Sequence, residues 1–393
     1  MRIGEWKLSL KMPYKYDFII HLTVLILILF GTLMIVSTNL GNVSQDPLVL
    51  VKVLLRQTIF IVVSYGIMTF LANNFTMVKA KKYHLLIGVL LFGALAATLL
   101  FPSQFGSKAW IRIPGISVTI QPSEFVKVFM VVAMAVYVEI AGKRNFDFWT
   151  IVKMPVFFYI AYAGIIIIQP DIGTLVVISL ICALCFLIPS HYNLRPMQFW
   201  MKVAIGVGSS VFIFLMSEQG IKIMGSIPGM KHIAARIENA INPFINPYST
   251  GYQLVNGLYG IANSNFFGNG IAKSSRKFGY LTQADNDFIL SVVIEELGIF
   301  GLAIIVFCYF ILIYRLFYYA FRTKSEGYKM ILVGTALYIL IHFILNVGGV
   351  GGLIPLTGVP LLFMSSGGSS LMAIMAAIGI SQAVIARIRR QGE

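Results

Sequence analysis

Apolar residues run along this chain in long blocks parted by short polar breaks, and one break is far longer than the others. A helix that crosses a bilayer needs about 20 such residues. The pattern predicts ten spans, at 17–38, 51–72, 84–101, 121–141, 154–168, 172–189, 199–217, 287–314, 330–348 and 367–386. Only Gln169-Pro170-Asp171 separates the fifth from the sixth. The long break, 218–286, holds Pro228, Pro243 and Pro247, many Asn and Gly, and one stretch with amphipathic helical spacing, Met230–Ala240. A connection of that length is usually functional or disordered. Its aromatic residues, among them Tyr252, Tyr259, Phe266 and Phe267, favour an ordered segment lying against the membrane. The expected fold is therefore an all-α polytopic membrane protein of ten transmembrane helices. It forms a single membrane domain over 1–393, with 218–286 as one long extracytoplasmic loop between helices seven and eight. Neither an internal repeat nor the paired broken helices of an inverted-repeat transporter are evident.

Composition narrows the class further. Of 393 residues, 58% are hydrophobic and 11% charged, with a mean hydropathy of +0.85. A soluble domain has about 45–50% apolar and about 25% charged residues, so a soluble enzyme, a secreted disulfide scaffold and a disordered chain are all excluded. The net charge of +15 would suggest nucleic acid in a soluble protein. Here the basic residues collect in alternate breaks (Lys79, Lys81 and Lys82; Lys143 and Arg144; Arg322, Lys324 and Lys329) and at both ends. That is the positive-inside pattern. It predicts cytoplasmic termini and contact with anionic membrane lipids, and no nucleic-acid partner. Cys182 and Cys185 form a CxxC inside an apolar run, and with Cys308 they read as small buried hydrophobes. The first apolar run, Phe18–Val36, is too long for a signal h-region and is expected to stay as the first helix.

An ionisable residue near membrane depth is a functional hypothesis by default, and this chain has few. In Gln121-Pro122-Ser123-Glu124, followed by Lys127, the two charges share a helix face. They form either a structural ion pair or a polar wall of a substrate groove at the outer leaflet. Asp171 either caps the next helix or lines the same groove. In Ala284-Asp285-Asn286-Asp287-Phe288, Asp285 reads as a cap. Asp287 is nearer the membrane, and a carboxylate beside apolar surface with a like charge nearby has a raised pKa suited to a general base; the alternative for it too is an N-cap. Glu295 and Glu296 diverge by about 100° on a helix, so one should face the bundle and the other a neighbouring helix or the lipid edge. The irregular run Gly348–Pro360 persists beside a span only where it is buried in protein or lines a wet cavity. Gly367, Gly368 and the serines from Ser365 to Ser370 offer donors suited to a phosphate, or simply let helices pack closely.

These segments occur in an order that resembles the SEDS (shape, elongation, division and sporulation) family, which comprises RodA and FtsW. The matching pieces are Gly106–Ile111 leading to Gln121–Lys127; Gln169–Thr174; Arg236 with Asn246-Pro247 and Gly251-Tyr252-Gln253; Asp287–Gly298; and Pro355–Pro360 with Ser365 and Gly367–Ser370. Ala109 stands where many members have arginine, with Lys108 one place earlier. Leu362 and Ser366 replace a usual proline and tyrosine, and Trp110–Gly115 looks more like the RodA branch.

The resemblance implies a peptidoglycan glycosyltransferase of cell-wall synthesis, serving cell shape or division. Its substrate would be lipid II, a disaccharide-pentapeptide on undecaprenyl diphosphate, and its partner a class B penicillin-binding protein. The family's essential aspartate maps onto Asp287. Substrate contacts are expected at Lys108, Trp110, Gln121, Ser123, Glu124, Lys127, Asp171, Arg236, Ser365, Gly367, Gly368 and Ser369. An α-linked donor and a β-1,4 product require one in-line displacement, with a base on the acceptor hydroxyl and positive charge at the leaving diphosphate. Asp287 is the expected base. Arg236, Lys108, the Gly367–Ser370 donors or a divalent cation (Mg or Mn) held by the diphosphate would stabilise the leaving group. Two other classes compete: a lipid II flippase and a non-catalytic scaffold for the penicillin-binding protein. A flippase needs a polar path through both leaflets, whereas the charges cluster at the outer end, with only Lys52, Arg56 and Lys202 expected elsewhere.

Overall fold

The computed structural model describes residues 2–3, 6–7, 9–104, 106–112, 119–141, 147–227, 231–249 and 251–391, and for 2, 3, 231–233, 235 and 236 the backbone alone. Lys143, Arg144, Met230 and the Ile113–Gly115 end of the tryptophan motif fall outside the described residues. All ten expected spans are helices: α1 Phe18–Asn39, α2 Val49–Asn74, α3 Met77–Thr98, α4 Pro122–Ala141, α5 Phe148–Ile168, α6 Ile172–Phe186 and α7 Arg195–Leu215. Then come the shorter α8 Glu218–Ser226, α9 Lys231–Ile241 and α10 Tyr252–Ala262, followed by the last three spans, α11 Ile289–Ala320, α12 Glu326–Val350 and α13 Gly368–Gln391. Eight are long and apolar enough to cross a membrane by those criteria alone. The other two are α4, which carries Glu124, Lys127 and Glu139, and α6, which has only 15 residues. The chain is a multi-pass membrane protein.

Side-chain caps mark several helix starts. Asp17 accepts from the Ile20 N–H at 2.9 Å, Thr76 from Lys79 at 3.0 Å and Ser325 from Tyr328 at 3.1 Å. At the centre is α13, buried at every position from Gly368 to Ala386. Alongside it lies α2, whose Phe60 ring occupies the space a Cβ on Gly368 would need. The ends of the chain meet at one end of the bundle. The Asp17 N–H donates to Gln382 at 2.8 Å, Arg315 pairs with Asp17, and Arg389 donates to the Tyr16 carbonyl at 2.8 Å.

Among its described residues the segment 218–286 contains three α-helices where the sequence suggested one. Span seven was expected to end at residue 217, but Ser217 caps a new helix, accepting from the Gly220 N–H at 3.3 Å. Further on, α10 packs on α11, where the Ser291 hydroxyl donates to the Gly257 carbonyl at 2.6 Å.

The α11 helix is broken at Gly298, where φ is 61° and ψ −145°. The long loop fills the break. Asn269 and Gly270 donate to the carbonyls of Glu295 and Glu296, both at 2.9 Å, and Ile299 donates to Phe266 at 3.1 Å. Groups released by the break are thus paired again, as buried backbone requires. Of the surroundings expected for Glu295 and Glu296, the lipid edge does not hold: both are buried under residues 272–277, and Glu296 reaches a neighbouring helix, α1. Glu295 accepts from Ser274 and Ser275, while Glu296 accepts from Ser37 of α1, from the Ala272 and Ser274 N–H groups, and from Lys277 at 3.2 Å.

A Cβ at Gly298 would lie 2.3 Å from the Phe266 carbonyl oxygen, in a backbone conformation that only glycine adopts freely. Gly298→Ala is expected to destabilise the fold by about 3 kcal/mol or more, read as thermal unfolding in detergent. Gly93→Ala, in the open on α3, should be neutral or stabilising.

Candidate active site

Five chain segments converge at the end of the bundle opposite the termini. They are the turn into α11 with Asp285, Asn286 and Asp287, the extended Leu353–Pro360 run after α12, the start of α13, and the starts of α4 and α6. The Ser366 N–H donates to the Asp285 carbonyl at 2.9 Å, joining α13 to the turn. The Asn346 side chain joins the turn to the extended run, donating to the Asp287 carbonyl at 2.9 Å and to the Val359 carbonyl at 3.0 Å.

Asp287 is half-buried, just before α11. Its Oδ2 lies against Gly358, 3.5 Å from where a Cβ there would stand; Gly358 itself has φ +68°. Its Oδ1 is buried and receives no hydrogen bond among the described residues. Burial, and then the like charge of Asp285, pushes the carboxyl up to about 7. The N-cap alternative does not hold: Phe288 occupies the cap position of α11, and no side-chain cap bond forms there.

A second group surrounds Gln121. Its Nε2 donates to Asp171 at 3.0 Å, and its backbone N–H donates to the Ser369 hydroxyl at 2.9 Å. Asp171 also caps α6, accepting from Thr174 at 3.1 Å, so the cap reading of that residue holds. Lys108 is exposed, and its N–H donates to the Gln169 carbonyl at 3.1 Å, setting its loop against the turn between α5 and α6. Arg56 of α2, expected away from this end, belongs to it. It donates to the Ser366 carbonyl at 3.3 Å and has no carboxylate partner among the described residues. Lys52 pairs with Asp46 at 2.6 Å.

Other expected substrate contacts lie inside the protein. Glu124 and Lys127 pair at 2.7 Å with side chains only 3% and 1% exposed, so they do not form an open wall. Lys127 also reaches His342 Nε2 at 3.1 Å, and the Tyr338 hydroxyl donates to Glu124 at 3.0 Å. Ser123 and Ser365 are buried, because the starts of α4 and α13 are packed into the bundle. Gly368 serves packing against Phe60. Gly367 stays half-exposed, near Asn286. Arg236 lies on α9, with its side chain outside the described residues.

Residues 17–391 match the family model for the FtsW/RodA/SpoVE cell cycle proteins. The chain belongs to this family. The FtsW/RodA/SpoVE chain is 32% identical over 383 residues to the probable peptidoglycan glycosyltransferase FtsW of Bacillus subtilis (strain 168), covering 94% of this chain and 90% of that protein. It is 31% identical over 276 residues to stage V sporulation protein E of the same organism, 70% of each chain. Its fold is shared with a chain of a peptidoglycan synthase complex that coordinates polymerization and crosslinking (TM-score 0.72, 21% identity, 96% of this chain and 100% of that one). The rod shape determining protein RodA of Thermus thermophilus shares it as well (TM-score 0.62, 19% identity, 95% and 97%).

Sequence reasoning about this FtsW/RodA/SpoVE chain missed Tyr338, His342 and Asn346. Their signal was present: three polar residues at i, i+4 and i+8 make one stripe on an otherwise apolar helix.

Proposed function

We propose that this protein is a peptidoglycan glycosyltransferase that polymerises lipid II into β-1,4 glycan with inversion, and that Asp287 is its general base. The observation carrying the base assignment is the Asp287 carboxyl, half-buried outside the spans, with an oxygen that receives no donor among the described residues. Such a group takes a proton readily and gives it up near neutrality, as base catalysis on a sugar hydroxyl needs. Acting in one displacement, it would accept the acceptor hydroxyl's proton as that oxygen attacks the anomeric carbon and the lipid diphosphate departs. Arg56 and Lys108 supply positive charge at the same end of the bundle. Among the described residues no three His, Cys, Asp or Glu side chains come together. A divalent cation would therefore take its ligands largely from diphosphate oxygens.

The basic chain ends and loops favour a cytoplasmic-membrane protein with its termini inside and its site outside, the whole chain forming one membrane domain with 218–286 on the outer side. A class B penicillin-binding protein is the partner this reading calls for, in line with the likeness to a peptidoglycan synthase complex.

The test is purified protein in proteoliposomes with lipid II, with and without such a partner, assayed for polymer on a gel and for translocated lipid. Polymer is the expected product; translocation without polymer would favour a flippase. Because the base must be ionised, the rate should fall about tenfold per pH unit below a midpoint of about 7 and level off above it. Asp285→Asn removes the like charge, so the midpoint should move down. A profile flat from about pH 5.5 to about 8.5 would remove the base assignment.

A further inference from the structure

We infer that Asn346 and His342 are positioning residues that hold the base in register with the Gly358 wall of its site, and that the Glu124–Lys127 pair acts through them. The inference rests on the reading of Asp287 as base.

One helical turn apart on α12, the two side chains grip consecutive carbonyls of the extended run. Asn346 binds Val359, and the His342 Nδ1 lies 3.1 Å from the Pro360 oxygen. The same amide group of Asn346 binds the Asp287 carbonyl, so one side chain spans both walls of the site. Both partners of that nitrogen are acceptors, which fixes the amide's orientation. Its own oxygen is left buried without a donor among the described residues. Leaving a buried acceptor unpaired is costly, and the geometry accepts that cost to cross-link the two segments.

His342 is fixed in the same way. Its Nδ1 faces a carbonyl and its Nε2 faces the Lys127 ammonium, so the network assigns a neutral ring with its proton on Nδ1. Lys127 is in turn held by Glu124, and Glu124 by Tyr338. The result is a continuous buried chain from α4, across one stripe of α12, to the backbone that sets Asp287 against Gly358. Neither α12 residue is placed to touch substrate. What they control is where the carboxylate stands, and displacing a reacting group by about 1 Å costs on the order of 10²-fold in rate.

The experiment compares full-length wild type, Asn346→Leu, Asn346→Ala and Asp287→Asn in proteoliposomes. It measures the stoichiometry and affinity of lipid II binding together with turnover per bound lipid II. Asn346→Leu and Asn346→Ala should bind lipid II at full stoichiometry, with affinity within about threefold of wild type, and turn over about 10²-fold more slowly. Wild-type turnover per bound lipid II in either variant overturns the inference. So does a loss of turnover that only tracks a loss of binding stoichiometry in both, since the residue then serves the fold alone. Turnover by Asp287→Asn is read separately: if it persists, the base assignment fails, whatever Asn346 does.

Discussion

Asp287→Asn is expected to leave a folded, membrane-inserted protein that binds lipid II and polymerises it about 10²–10⁴-fold more slowly than wild type. The substitution keeps the side chain's shape. The hydrogen bond that anchors this residue goes to its main-chain carbonyl, which the change does not touch. The Oδ1 atom receives no donor among the described residues, so no side-chain bond to it is lost. Burial and Asp285 already disfavour the charge, so replacing it with a neutral amide should not weaken the fold. What disappears is the ability to take a proton. Asp285→Asn is the matched control: it removes a carboxylate two residues away and should retain turnover. If both variants polymerise at the wild-type rate, neither carboxylate is the base. If both fail with normal melting, the turn itself rather than one proton acceptor is at stake.

The spans were legible because the bilayer imposes a length and a composition that a sequence cannot hide. Departures came where a tertiary partner overrode that rule. The eighth span was expected to end at residue 314, yet α11 runs to Ala320, since Arg315 and Tyr319 find Asp17 and stay helical past the apolar window. Its start and its break depend on the loop: nothing local in Glu295-Glu296-Leu297-Gly298 reveals that Asn269 and Gly270 will satisfy its carbonyls. Within the site, Asp287, Gln121, Asp171 and Ser369 were each readable as polar residues in the wrong place for a membrane, and Gln121 touches both Asp171 and Ser369. Which polar residue faces the site and which is enclosed was not readable. Lys127 and Lys108 look alike in sequence, but one is buried against α12 and the other exposed at a loop. That difference arises from where His342 and Tyr338 stand, more than 200 residues along the chain from Glu124 and Lys127.

Lys127→Met should be the most destabilising of the charge changes, costing about 3–5 kcal/mol by thermal or denaturant unfolding. The methionine fills similar volume, so the loss is electrostatic rather than a cavity. It strands the Glu124 carboxylate in the bundle with the Tyr338 hydroxyl as its remaining donor among the described residues, and it deprives His342 Nε2 of its partner. The double variant Glu124→Gln with Lys127→Met removes both charges and should recover most of that stability, because a buried pair replaced whole costs far less than one broken in half. Activity need not return with it. Methionine cannot donate to His342, so the clamp on the Pro360 carbonyl stays loosened even when the fold is restored. Exchanging the two charges, Glu124→Lys with Lys127→Glu, keeps neutrality but sets a carboxylate against a ring nitrogen that serves as an acceptor, so it should rescue melting better than turnover. Full recovery of both by the exchanged pair would mean that the two charges act only on the fold. Recovery of melting without turnover would mean that the donor facing His342 matters to the site beyond its charge.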